Sequence, residues 1–194
     1  PLRRLCRAME QALGHPAQTN VYLTGGRSHD RQGESAQGLR RHYDTHDVFV
    51  LQLAGSKRWS LFDAPVTLPI KAQAPESARY ADMPVRREFE LKAGDVLYLP
   101  RGVVHEAQAR EDTSLHVSLG ILAPTWGDLL TEAVRLAVLE AAELRRALPR
   151  VPPGPSDDAL GGMLEAAVGR LKGSPALAQA WRTLDARFVN DRMP

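Results

Sequence analysis

Two short segments constrain the fold of this 194-residue chain more than any other part of it. They are GLRRHYDTHDVFVLQLAGSKRW at residues 38–59 and GDVLYLPRGVVHEA at residues 94–107. The first is strand-like, and side chains alternate along a strand, so His42 and Asp44 project from the same face. The second supplies His105. Two imidazoles and one carboxylate from separate strands are typical of a facial triad, which leaves open positions on a non-haem Fe(II) ion.

The spacing of the second segment indicates how its histidine is presented. Gly94 and Asp95 predict a tight turn, and residues 96–99 predict a β-strand. Pro-Arg-Gly at residues 100–102 then predicts a chain reversal, after which the next strand directs His105 into a barrel. The whole spacing, from the first glycine to the histidine, is that of the second cupin motif.

Together with NVYLT at residues 20–24, these segments resemble the JmjC-type cupin 2-oxoglutarate oxygenases, and within them the ribosomal oxygenase (ribosomal protein hydroxylase) group. The resemblance covers residues 18–125. It implies a mainly β plus α fold, with a double-stranded β-helix (cupin, jelly-roll) core followed by a C-terminal helical bundle. It also implies a dioxygenase that uses Fe(II), 2-oxoglutarate and O2 to hydroxylate an arginine or histidine side chain of a ribosomal or other protein, with His42, Asp44 and His105 as catalytic metal ligands.

The resemblance extends to residues that would bind the cosubstrate. A lysine facing into a barrel needs an anion, because an unpaired buried ammonium is costly. Lys57 matches a family lysine that binds the distal carboxylate of 2-oxoglutarate. The alternative is a lysine on the protein surface. Asn20 and Tyr22 share a strand face and match family residues that contact the cosubstrate or shape the substrate pocket. A family hydroxyl that helps hold the cosubstrate falls at Gly120 here, and Ser118 is its expected replacement.

Two other features near the triad have no assigned role. His46 is a rival ligand, since it lies four residues after His42, but it falls outside the family pattern. Residues 25–37 are polar, carry three glycines and lack periodicity, which predicts a loop that could cover the site or contact the substrate.

The composition excludes several other classes of protein. Hydrophobic residues make up 43% of the chain and charged residues 25%, as in ordinary globular domains. The net charge of +2 does not demand nucleic acid, so direct nucleic-acid binding is not predicted. No apolar run approaches a membrane span, and the N-terminus lacks a signal-peptide layout. The single Cys6 suits a reducing compartment, so we expect a cytoplasmic protein without a membrane partner.

Two domains are predicted, a barrel core at residues 1–125 and a helical region at residues 126–194. The chain starts with Pro1 in a helical pattern, and the family carries more chain before this point, so we expect early barrel strands to be missing. Helical periodicity and cap signals predict helices at about residues 126–148, 157–171 and 175–188, the first beginning with a capping box at Thr125. The resemblance implies that this region forms a homodimer, whereas an intramolecular bundle is the alternative.

Two alternative functions remain open at this stage, and a third is disfavoured. A related oxygenase could act on a small molecule or a biosynthetic peptide, because substrate identity depends on loops whose sequence carries no readable code. A non-catalytic metal-binding cupin scaffold is a second alternative, which the glycine at position 120 keeps open. Demethylation of methyl-lysine is disfavoured because no cluster of aromatic residues that could cage a methylammonium is visible.

Overall fold

The computed structural model describes residues 1–25, 39–74, 77–109, 113–147, 158–173 and 175–190. The predicted loop at 25–37 and the proline-rich connector before the third helix fall almost entirely outside these residues. The chain divides into two compact units, residues 1–123 and 124–194.

The first unit contains one α-helix and, within its described residues, eight strands. The helix α1 spans Leu2–Leu13 and ends at Gly14, which adopts the left-handed conformation and donates its N–H to the carbonyl of Glu10. The strands are β1 (Ala17–Thr24), β2 (Leu39–His42), β3 (Asp47–Ala54), β4 (Ser56–Leu61), β5 (Arg87–Lys92), β6 (Val96–Leu99), β7 (His105–Ala109) and β8 (Ser114–Ile121). Two short 3-10 turns, Lys71–Gln73 and Ser77–Tyr80, interrupt the irregular connection between β4 and β5.

The eight strands form two four-stranded antiparallel sheets. One has the order β1-β8-β3-β6 and the other the order β2-β7-β4-β5, so neighbours in each sheet come from distant parts of the sequence. Side chains from both sheets form a common core of Val48, Val50, Trp59, Leu91, Leu99 and Ala107. Two facing sheets with these crossovers are the arrangement of a cupin barrel, which confirms the predicted fold class.

Strand β3 shows how the barrel uses an apolar segment. Residues 48–53 are apolar except for Gln52, and such a segment is typical of a strand buried on both faces. In the structure Val48, Val50 and Gln52 are buried, whereas Leu53 is 52% exposed. The strand alternates because only one face of its sheet points toward the other sheet.

The described residues of the second unit form three α-helices, α2 (Trp126–Glu140), α3 (Asp158–Gly173) and α4 (Ala176–Asn190). Helix α2 begins with the predicted capping box, in which the Thr125 hydroxyl accepts the Asp128 N–H and the Asp128 carboxylate accepts the Thr125 N–H. It ends earlier than predicted, because Ala141 is extended and a 3-10 turn, Ala142–Arg145, follows.

Helices α2 and α4 pack together through small and branched apolar side chains, namely Leu129, Ala133, Leu136, Ala176 and Ala180. Glu132 is 5% exposed, and its carboxylate bridges the two helices by accepting hydrogen bonds from Arg135 on α2 and from Arg187 on α4. Among the described helices, none combines the length and apolar character needed to span a bilayer.

Candidate metal centre

Three potential ligands converge at one end of the barrel. His42 is the last residue of β2 and pairs across the sheet with His105, the first residue of β7. Asp44 follows two residues after the end of β2. One nitrogen from each imidazole and one Asp44 carboxylate oxygen all lie within 4.8 Å of one another. Two histidines and one carboxylate at this spacing form a donor set that could hold a divalent transition metal.

The structure places Asp44 differently from the sequence-based expectation, since it lies beyond the strand that carries His42. Its position is fixed by its backbone carbonyl, which accepts a hydrogen bond from the N–H of Gly102 at 3.0 Å. Gly102 has a φ of +90°, and a Cβ there would lie 2.5 Å from the carbonyl oxygen of Val66. Glycine is therefore required at this position of the turn between β6 and β7, which holds Asp44 through that hydrogen bond.

Backbone carbonyls orient both imidazoles. Nδ1 of His42 lies 2.6 Å from the carbonyl oxygen of Arg40, and Nδ1 of His105 lies 3.0 Å from that of Val103. A carbonyl oxygen can only accept, so each Nδ1 carries the proton and each Nε2 keeps its lone pair for a metal. Nε2 of His105 lies 3.7 Å from Oδ2 of Asp44, so the two donor atoms face each other.

Burial keeps the buried histidine neutral. His105 is 2% exposed, and this burial, helped by the neighbouring His42, lowers its pKa to about 4. A metal-binding imidazole must be unprotonated, so protons do not compete for this ligand near neutral pH. Burial, followed by the charge of Asp44, raises the pKa of the nearby Tyr22 hydroxyl, which therefore stays protonated.

An ion pair on the opposite face of the sheet joins the two strands that carry the histidines. Nε and Nη2 of Arg41 each lie 3.2 Å from a different carboxylate oxygen of Glu106. Arg41 directly precedes His42, and Glu106 directly follows His105. Among the described strands, β2 lies at the edge of its sheet and has two registered pairs with β7, so this bidentate contact stabilises its attachment to β7.

The same guanidinium holds the connection between β4 and β5 against the barrel. Nη1 of Arg41 donates to the carbonyls of Tyr80, Ala81 and Met83, and its carbon lies 3.9 Å from the centre of the Phe62 ring. One side chain thus ties together the edge strand, its neighbour and an irregular segment. No pattern in the sequence indicated this role.

The triad opens into a cavity between the sheets that encloses about 420 Å³, including its open mouth. The predicted residues Asn20, Tyr22 and Ser118 line it together with His42, Asp44 and His105. The rest of the lining comprises Leu39, His46, Val48, Val50, Trp59, Leu99 and Gly120. The structure therefore brings six of the seven predicted site residues to one cavity.

The seventh predicted residue, Lys57, lies deeper in the barrel. On β4, Leu61 pairs with His105 and Lys57 pairs with Ala109, so the lysine lies four residues, about 13 Å of strand, from the triad. Its side chain is 1% exposed, and its ammonium donates to the Thr24 hydroxyl at 2.8 Å. Burial lowers its pKa to about 8. The described residues offer this cation a neutral hydroxyl and no carboxylate.

His116 lies beside the lysine, two residues before Ser118 on β8 and therefore on the same face of that strand. It is fully buried and stacks on the Tyr22 ring, with centroids 4.7 Å apart. Neither of its ring nitrogens has a hydrogen-bond partner among the described residues. Burial and the Lys57 charge lower its pKa to about 4. Oε1 of Gln52 and Nε1 of Trp59 are also buried without a described partner, so several polar atoms in this inner region could still form hydrogen bonds.

Comparisons with known proteins agree with this architecture. Residues 1–129 match the family model described as JmjC domain. The chain is 37% identical to the bifunctional lysine-specific demethylase and histidyl-hydroxylase NO66 of Dictyostelium discoideum over 76% of its length, and 32% identical to ribosomal oxygenase 2 of Bos taurus over all of it. It spans only 29% of the first relative and 42% of the second.

Solved structures show the same fold. The crystal structure of the Escherichia coli ribosomal oxygenase YcfD superposes with a TM-score of 0.59 over 93% of this chain and 46% of that one, at 23% identity. A structure of the same Escherichia coli protein in complex with cobalt and 2-oxoglutarate superposes with a TM-score of 0.56 over 96% of this chain and 46% of that one, at 22% identity. With a family model that matches two thirds of its residues and this shared barrel, the chain belongs to the JmjC domain family.

Proposed function

We propose that this chain is the catalytic core of an Fe(II)- and 2-oxoglutarate-dependent oxygenase that hydroxylates a side chain of a protein. One observation carries the proposal: the donor atoms of His42, Asp44 and His105 lie within 4.8 Å of one another in a cavity with an open mouth. A set of three ligands on one side of a metal leaves positions for a chelating cosubstrate and O2.

The protein side of the site supports metal binding in a defined orientation. Backbone carbonyls fix the tautomers of both histidines, and the ion pair of Arg41 with Glu106 holds their strands together. Outer contacts of this kind orient ligands before the metal arrives. The histidines and Asp44 would hold Fe(II), and Asn20, Tyr22 and Ser118 would shape the space beside it.

Lys57 is the residue proposed to bind the distal carboxylate of 2-oxoglutarate. A buried ammonium with only a hydroxyl partner is costly, and a carboxylate arriving with the cosubstrate would satisfy it. Its position about 13 Å along β4 from the triad level leaves room for an extended five-carbon acid between the two ends.

With Fe(II) bound, the site would couple decarboxylation of 2-oxoglutarate by O2 to hydroxylation of a C–H bond. One oxygen atom enters succinate, the other enters the substrate as a hydroxyl, and CO2 is released, so atoms and electrons balance. The tasks of this chain are to position the reactants and to limit the access of water. Trp59 and Val50 supply apolar walls for that purpose.

The names of the relatives guide the choice of substrate. Ribosomal oxygenase 2 and the histidyl-hydroxylase NO66 point to a ribosomal protein with an arginine or histidine side chain as the hydroxylated group. A homodimer formed through the helices of residues 126–194 and a cytoplasmic location stay predictions of the same proposal. The division into a barrel domain at 1–125 and a helical domain at 126–194 belongs to it as well.

Anaerobic titration of 2-oxoglutarate into the Fe(II)-loaded protein tests the chemistry. We expect a saturable visible charge-transfer band that is absent from the His105→Ala variant. In a second step, turnover with 18O2 and extracted ribosomal proteins should place one labelled oxygen on an arginine or histidine. A folded, Fe(II)-loaded protein without the band would instead be a non-catalytic cupin. A charge-transfer band together with turnover of small molecules or peptides, and no turnover of ribosomal proteins, would instead identify a related oxygenase with a small-molecule or peptide substrate.

A further inference from the structure

The His46 ring lies in the cavity beside position 120, where the family pattern has a hydroxyl side chain. A hydroxyl side chain was expected at position 120, where this chain has glycine. In the structure a Cβ at Gly120 would lie 2.6 Å from both Cδ2 and Nε2 of His46. No real Cβ tolerates such a contact, so any side chain at position 120 would collide with the imidazole. The glycine is the condition for the histidine to enter the cavity.

His46 is a neighbour of the metal site and not a fourth ligand. Within the described part of the chain, the group whose donor atoms lie close enough to share an ion contains His42, Asp44 and His105 only. His46 nevertheless lines the same cavity as all three. Its ring has no hydrogen-bond partner among the described residues, so it offers both a donor and an acceptor to a ligand.

The position along the barrel identifies which part of a ligand the imidazole would meet. Gly120 pairs with Val48 on β3 and lies four residues along β8 from His116. Lys57 and His116 are therefore at the inner end, whereas His46 is at the end that carries the triad. A keto acid bound across the barrel places its chelating 2-oxo carboxylate at this end and its distal carboxylate at the other.

We propose that His46 binds the chelating carboxylate of the 2-oxo acid by donating a ring N–H to it, in the space that Gly120 leaves open. This inference rests on the proposed function and adds a binding residue specific to this chain. A hydrogen bond from imidazole to a carboxylate is charge-assisted and stronger than one between neutral groups. It would fix the orientation of that carboxylate while Lys57 holds the far end.

An anaerobic titration of the Fe(II)-loaded protein with two keto acids distinguishes the contribution of His46 from that of Lys57. 2-Oxoglutarate has both carboxylates, and pyruvate has only the chelating one. We expect His46→Ala to weaken both acids by the same factor, about tenfold or more, as for loss of a hydrogen bond to a charged group. Lys57→Met should weaken 2-oxoglutarate alone. The Co(II) affinity of His46→Ala, measured separately, should match that of the wild type.

Three further variants distinguish a direct contact from a structural role. His46→Gln keeps an N–H donor and should recover most of the keto acid affinity. Gly120→Ser should lose as much keto acid affinity as His46→Ala, because its Cβ displaces the imidazole ring. The double variant His46→Ala/Gly120→Ser has no ring at this place, so its new hydroxyl should restore part of the affinity. Gln18→Ala is the matched control, because Cγ of Gln18 lies 3.4 Å from the same Cβ position without lining the cavity.

The outcomes separate this inference from the proposed function. A wild-type protein that binds Fe(II) but neither acid overturns the proposed function itself. If the wild type binds the keto acids and both His46→Ala and Gly120→Ser bind them equally well, only the role of His46 is overturned. A parallel loss of Co(II) affinity in His46→Ala would make the residue a metal ligand and would also overturn the inference. Thermal unfolding of each metal-free variant shows whether it is folded.

Discussion

The two ends of the barrel treat their polar groups in opposite ways. At the triad end, His42 and His105 have their Nδ1 atoms bound to backbone carbonyls, and their strands are joined by an ion pair. At the inner end, Lys57 has one hydroxyl partner, and His116 has no described partner at either nitrogen. The first end satisfies the groups that orient the ligands and leaves the ligand atoms and the His46 ring available to bound molecules. The second leaves its cation and polar atoms incompletely satisfied.

The difference indicates whether folding or ligand binding satisfies the polar groups at each end. The triad end is organised by the folded backbone, so metal binding requires little rearrangement. The inner end lowers the stability of the ligand-free protein, because a buried cation without an anion is unfavourable. Such a site recovers that free energy when an anionic ligand binds, which increases its selectivity for a carboxylate over a neutral group.

The largest expected effect comes from removing a ligand at the triad end. Asp44→Ala or His105→Ala should weaken Co(II) binding by at least about 100-fold, beyond the 10–100-fold typical of outer-shell partners. Quenching of Trp59 fluorescence reports binding, since its ring centroid lies 5.9 Å from that of His105. His15→Ala, at the turn after α1, is the control histidine. Co(II) binding that survives both triad substitutions would show that the metal binds elsewhere.

The opposite expectation holds for the inner end, where Lys57→Met should leave Co(II) bound and stabilise the metal-free protein. At pH 7 the wild-type ammonium is charged and buried, so its removal should raise the free energy of unfolding by about 2 kcal/mol. Chemical denaturation measures this value. A less stable variant would show that the lysine already has a good partner.

The pH dependence of Lys57 has a definite sign. The unfolded lysine binds a proton up to its ordinary pKa of 10.5, whereas in the folded protein its pKa is about 8. The unfolded state therefore binds more protons between these values, and the wild type should gain stability as pH rises from 8 to 10.5. Lys57→Met should lack this gain, which denaturation series at several pH values would reveal.

A smaller effect is expected from the ion pair behind the triad. Arg41→Ala removes the contacts to Glu106 and to three carbonyls, and should cost about 2 kcal/mol of stability and about tenfold in Co(II) affinity. Arg58→Ala is the matched control, because its ion pair with Glu88 is on the surface of the same sheet and should contribute under about 1 kcal/mol. Equal losses of Co(II) affinity in both variants would contradict a positioning role for Arg41.

The smallest effect at neutral pH is expected for His116→Phe, which keeps an aromatic ring against Tyr22 and removes two unpartnered nitrogens. The pKa of His116 is lowered from 6.5 to about 4, so only the unfolded state takes up its proton between these values. The wild type should lose about 1.4 kcal/mol per pH unit from this residue as pH falls through that window. The variant should show a shallower decline in denaturation experiments, and identical slopes would contradict the burial of a neutral imidazole.

Local patterns in the sequence were sufficient for the elements and for the potential ligands. The glycine and proline spacing before His105 predicted the turn, and alternation in β1 placed Asn20 and Tyr22 on the face that lines the cavity. The capping box at Thr125 predicted the start of α2. These features depend on neighbours within a few residues, where backbone preferences act directly.

Contacts between strands that are distant in sequence were decided only by the tertiary structure. Arg41 meets Glu106 across 65 residues, and His46 meets Gly120 through the pairing of β3 with β8. Their register depends on how the sheets assemble, and a one-residue shift would reverse every face. The sequence alone therefore determined which residues could serve a metal and a carboxylate. The packing of the two sheets decided which polar groups are satisfied by the protein and which are left for a ligand.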